Sequence, residues 1–183
     1  MTQDAVASGF SRKEQGFTLV ELMIAILVAG ILMAMAAFTI VRARASANEA
    51  SAIASLRSIN QGQIGYNSSC GRSFFAASLP ILAMPPHEAA EGGFIDPELA
   101  TGVIVQDAGY RYRIQLGLGG APGGSPDCNG NATISAYYAT AVPVAPGETG
   151  TRAFATNQIG TIWQSLDSIA PAEPFGPPAE VAK

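Results

Sequence analysis

Apolar positions along the chain are concentrated in one unbroken run. From Phe17 to Val41, "FTLVELMIAILVAGILMAMAAFTIV", 25 residues carry a single formal charge, Glu21. At 1.5 Å per residue such a run makes about 37 Å of helix, longer than the ~30 Å hydrocarbon core of a bilayer, so it predicts a membrane-crossing helix. From Arg42 the pattern changes but nothing breaks it. The stretch "RARASANEASAIASLRSINQGQIGY" has no proline and places Ala45, Ala52, Ile53, Leu56, Ile59 and Gln63 near one helical face, with Arg44, Asn48, Ser51 and Arg57 largely elsewhere. The helix is therefore predicted to continue to about Tyr66 with an amphipathic second half. Its stripe is modest and needs a sheet to cover it; Gly62, Gly65 and the following "NSSCG" mark its end.

Periodicity two takes over later in the chain. "GYRYRIQLGL", residues 109–118, alternates and is rich in β-favouring types, as is "ATISAYYATAVPV" after the turn-dense "GGAPGGSPDCNGN". Arg152 to Thr156 and Thr161 to Trp163 flank Asn157 to Gly160 as a hairpin. Pro80, Pro85, Pro86 and Pro97 exclude a long regular element between residues 67 and 108. The expected fold is α+β: a long amino-terminal helix packed on a small antiparallel sheet of about four strands. Residues 17–41 form its membrane half, 42–66 its amphipathic continuation, 67–108 a loop-rich connector, 109–163 the sheet, and 164–183 a proline-rich flexible tail.

Composition supports an anchor joined to a water-facing head. The chain has 183 residues, 48% hydrophobic and 13% charged, enough for one modest domain and an extra segment. With 10 basic against 14 acidic residues, and Arg72, Arg111, Arg113 and Arg152 dispersed beyond the helix, nothing suggests specific nucleic-acid binding. Arg12 and Lys13 precede the apolar run, which keeps that side cytoplasmic and the carboxyl-terminal part outside.

Candidate chemistry is sparse. His87, the one histidine, sits in the proline-rich connector with no triad or metal cluster around it. Asp96, Glu98, Asp107, Asp127 and Glu148 form no EF-hand pattern, and "GLGGAPGGSP" is interrupted by Pro122 and Pro126 with no following lysine, so it is a loop and not a phosphate cradle. No enzyme, metal site or cofactor is expected. Cys70 and Cys128 lack metal or redox spacing, and in an outward-facing head they read as one disulfide.

Glu21 is the informative residue, because an acid in an apolar span usually has a partner. The small residue Gly16 stands before the apolar run, where a secretory signal would place it after. A cut between Gly16 and Phe17 would create an α-amino group, mostly cationic at neutral pH, able to face the Glu21 carboxylate of a neighbouring subunit. "KEQGFTLVELMIAILVAGIL" resembles the processing site of type IV prepilins and pseudopilins: glycine before the cut, phenylalanine after it, glutamate fifth in the mature chain, then a long apolar helix.

The helix and closing strands, "ANEASAIASLRSINQGQIGY" and "YYATAVPVAPGETGTRAFATNQIGTIW", are similar to pilin-like heads. The resemblance implies that residues 1–16 are a leader removed by a prepilin peptidase, that Phe17 is N-methylated, and that Glu21 guides docking into a homo-oligomeric filament. It implies a single-pass protein of the bacterial inner membrane before assembly and a periplasmic or cell-surface filament afterwards, built by a pilus or secretion machinery. Alternatives within the class are a pseudopilin of a type II secretion system and a minor pilin for DNA uptake or adhesion. Where many members carry a mid-helix proline, this chain has Phe38.

Overall fold

A computed structural model describes residues 16–86 and 92–182; the expected leader, residues 1–16, lies outside them except for Gly16, and so does His87. The fold is α+β. Its first element is α1, Leu19–Ser68, a single helix of 50 residues. The chain divides into two compact units between Thr39 and Ile40, and α1 contributes to both.

In the second unit two sheets follow the helix. Strands β1 (Phe75–Ala76) and β4 (Thr133–Ile134) pair as a small ladder. The main sheet has six strands in the order β2 (Ile104–Asp107), β3 (Tyr110–Leu116), β5 (Tyr137–Pro143), β6 (Ala153–Asn157), β7 (Trp163–Ser165) and β8 (Glu180–Val181). Every neighbouring pair in it is antiparallel. A short helix α2 (Leu79–Leu82) and a 3-10 turn (Pro97–Ala100) fill the connector.

The sheet exceeds the expected four strands for identifiable reasons. The connector read as loop contains β2, whose four residues pair with β3 in the register Val105 to Tyr112. The stretch read as one strand at 132–144 is two, β4 and β5, belonging to different sheets. Of residues 164–183, expected as a flexible tail, the described 164–182 return across the sheet: β8 pairs with β7, and Phe175 stacks on Trp163 with ring centroids 5.6 Å apart. Prolines prevented a long element there but did not prevent packing on an aromatic surface.

Alternation decides which side of the sheet faces the helix. Along β3 Tyr110, Tyr112 and Ile114 are buried while Arg111 and Arg113 are exposed. The inward set joins Ala139, Ala141 and Phe154 with Ala52, Ile53, Leu56, Ile59 and Tyr66 of α1 in one core. The stripe expected from sequence is buried as a set, including Ala45 and Gln63. Helix and connector approach closely at Gly62, where a Cβ would stand 2.7 Å from the Phe94 carbonyl oxygen. At the far end Gly160 closes the hairpin between β6 and β7 at φ 83°, a left-handed conformation that glycine adopts without steric cost.

The polar groups inside the second unit are paired across long sequence separations. Glu49 is buried on α1 and accepts hydrogen bonds from Thr151 N at 2.8 Å, Thr151 Oγ1 at 2.9 Å and Arg152 Nε at 2.8 Å, with an Arg152 ion pair at 2.6 Å. Burial pushes the Glu49 carboxyl up, but these donors outweigh it and hold it below its ordinary value. Asn60 Nδ2 donates to Thr156 Oγ1 and to the Gly160 carbonyl, and Tyr137 Oη donates to Asn60 Oδ1 at 2.8 Å. Gln63 exchanges two bonds with the Ala76 backbone, as a neighbouring strand residue would. Cys70 and Cys128 form a disulfide, and beside it Asp127 accepts from Tyr66 Oη, Asn129 N and Asn131 N.

Candidate processing and assembly segment

Gly16, Phe17 and Thr18 precede the helix and are not helical. The transition has a local cause: Thr18 Oγ1 accepts from Glu21 N at 3.2 Å and the Thr18 carbonyl accepts from Leu22 N at 3.2 Å, the arrangement of an N-cap. Glu21 thereby stands in the first turn of α1, where the helix dipole favours a negative charge. A Cβ at position 16 would meet nothing within 4 Å, and Phe17 is 78% exposed. The junction between them is an open, non-helical peptide.

Beyond the cap the first half of the helix is apolar around its circumference. Leu19, Val20, Leu22, Met23, Ile24, Ile26, Leu27, Ile31 and Leu32 are all exposed within the single chain. Four consecutive side chains on an α-helix sample every direction, so exposure of this kind has no soluble side. The helix is long and apolar enough to cross a membrane. Among the described residues the Glu21 carboxylate has no hydrogen-bond or ion-pair partner.

The family model described as the prokaryotic N-terminal methylation motif matches residues 11–37. No curated protein and no solved structure matches the chain. The motif supports a type IV pilin-like or pseudopilin-like protein, a structural subunit in class. It implies processing by a prepilin peptidase and assembly into a pilus-like filament, and with the apolar helix it fits membrane anchoring.

The structure brings Gly16, Phe17 and Glu21 into one short segment and places Cys70 and Cys128 together in the second unit. Among the described residues no three of His, Cys, Asp and Glu gather as a metal set would. Sequence reasoning missed Glu49. It lies four residues after Ala45 and three before Ala52, on the stripe itself, so a carboxylate at a core position was the available signal. Its partner Arg152, counted among the dispersed basic residues, is 103 residues away in sequence and is taken up by this pair.

Proposed function

We propose that the chain is a structural subunit of a type IV pilus-like filament, cut between Gly16 and Phe17, N-methylated on Phe17 and assembled through α1. The observation that carries this reading is a helix whose first half is apolar on every side and whose first turn holds one acid with no partner among the described residues, directly after an exposed Gly-Phe junction. In a bundle of such helices the apolar surfaces cover one another. The Phe17 amine of one subunit then supplies the charge that Glu21 of the next requires, and a low-dielectric surround strengthens that pair. The second unit stays outside the membrane, where the Cys70–Cys128 bond persists in an oxidising compartment.

Mass spectrometry of the protein recovered from membranes and from sheared surface material tests the reading. A mature chain beginning at methylated Phe17 is the expected result. A chain that still carries Met1 in assembled material would overturn it. Imaging cells with the gene deleted and restored assigns the filament: loss of surface fibres marks a pilus, loss of protein export without loss of fibres marks a secretion pseudopilus.

A further inference from the structure

The six-stranded sheet is open at both ends, and the two ends differ. At one, β2 presents a four-residue edge with no proline, no bulge and no lysine, its one charge being Asp107, and Val103 just before it and Ile104 at its start are 58% and 54% exposed. On the outer side of the sheet this end is basic, because Ile104 and Gln106 register with Arg113 and Arg111. Asp107 lies on the opposite side of β2, so within β2 and β3 the outer charges are basic; Asp96 and Glu98 precede them around the 3-10 turn. At the other end, β8 carries exposed Val181, with exposed Leu166 and Ile169 in the segment leading to it. From Ile162 to Ala182 there are three carboxylates, Asp167, Glu173 and Glu180, and no basic residue. Glu173 is engaged by Asn157 and the Leu118 amide, and Glu180 registers with Gln164 on the helix side of the sheet; Asp167 is exposed, and Ser165, which alternation puts on the outer side of β7, donates its hydroxyl to the Asp167 carbonyl.

The topology adds a geometric condition. Six strands, each antiparallel to the next, make β2 and β8 run in opposite directions. Subunits of a polar filament share one orientation, so β2 of a second copy brought beside β8 of the first arrives antiparallel and continues the same alternation. An odd number of strands would present a parallel pair instead. We propose that the β2 edge of one head docks on the β8 edge of the next copy, extending the ladder from head to head with Arg111 and Arg113 facing Asp167. Such a contact is heterologous and therefore propagates along a filament, where a two-fold contact would close as a dimer. It rests on the filament reading above, and names a second interface separate from the apolar helix.

The test uses the full chain in membranes and in sheared filaments. Ile104→Cys and Val181→Cys, both on exposed outer positions of their strands, are introduced singly and together and treated with a short bis-maleimide. The native cysteines are joined to each other and do not react. The double variant is expected to give a ladder of dimers, trimers and higher species, and each single variant none. Arg111→Glu with Arg113→Glu should abolish the ladder, and adding Asp167→Arg should restore it. Dimers from Ile104→Cys alone would show two-fold β2 pairing and overturn the proposal. Absence of a ladder from both membranes and filaments would overturn it too, and that result is separate from the filament reading, which imaging of the parent decides.

Discussion

The tyrosines state most plainly what a buried polar group requires. Of the five in the chain, Tyr66, Tyr110, Tyr137 and Tyr138 donate to Asp127, the Arg152 carbonyl, Asn60 and the Pro171 carbonyl. Among the described residues Tyr112 Oη is buried with no partner in hydrogen-bond geometry; Ser55 lies beside it but does not reach that geometry. Removing an unpaired hydroxyl relieves a desolvation cost, whereas removing a paired one strands its acceptor. Tyr112→Phe should therefore leave the thermal midpoint unchanged or raise it, while Tyr137→Phe should cost about 1 kcal/mol, as read from denaturant unfolding of the two variants.

Glu49 sets a second expectation at this scale. Its carboxyl and that of Asp127 are each pushed up by burial but held below their ordinary values by the donors around them. In the unfolded chain such groups titrate near pH ~4, so the folded form binds fewer protons in that region and the unfolded form gains on acidification. Stability from both carboxylates is fully present above about pH 5 and drains as pH falls through their depressed folded values. Thermal midpoints measured from about pH 7 down to about pH 3 should fall with that profile. Glu49→Gln should lower the midpoint at neutral pH and flatten the fall.

Elements of this fold were legible to the degree that they are locally coded. The helix and the strands around Tyr112, Tyr138, Phe154 and Trp163 announce themselves by period and by residue type. β8 does not, because two residues become a strand only when β7 lies beside them. The same holds for the segment after Ser165, whose order comes from Tyr138 donating to the Pro171 carbonyl and from Phe175 covering Trp163, the chain's one tryptophan. The methylation motif was readable because its parts are contiguous; the Glu49–Arg152 pair was not, because it joins positions about half the chain apart. Deleting residues 171–183 should uncover Trp163 and shift its fluorescence to the red, with a lower unfolding midpoint. An unshifted spectrum would mean that Phe175 does not shield the indole.

For the whole molecule, the proposed assembly makes the charge of Glu21 the cost that directs it. Among the described residues that carboxylate has no partner, and on the proposed reading a staggered neighbour relieves it in only one register. Glu21→Ala should insert into the membrane at least as readily as the parent and be cut normally, yet contribute few filaments when expressed alone. Immunoblots of membrane and sheared fractions, side by side, would show the subunit retained in the first and depleted from the second. Glu21→Gln separates charge from shape, and filament yields equal to the parent's would remove the assembly role.

The long-range bonds of α1 also determine how the head answers mechanical load. Between Glu49 and Gln63 the helix holds the sheet and the small ladder through Thr151 and Arg152, through Thr156 and Gly160, and through Ala76. A pull along the helix axis strains these anchors side by side, in shear, so they yield together and not one after another. Slippage by one turn, about 5.4 Å, would part Glu49 and Asn60 from these partners and leave buried polar groups unpaired, so the helix has no intermediate resting place. The second unit therefore behaves under tension as a brittle joint, intact until it fails as a whole, and a stretched chain would lengthen first in some segment other than this one.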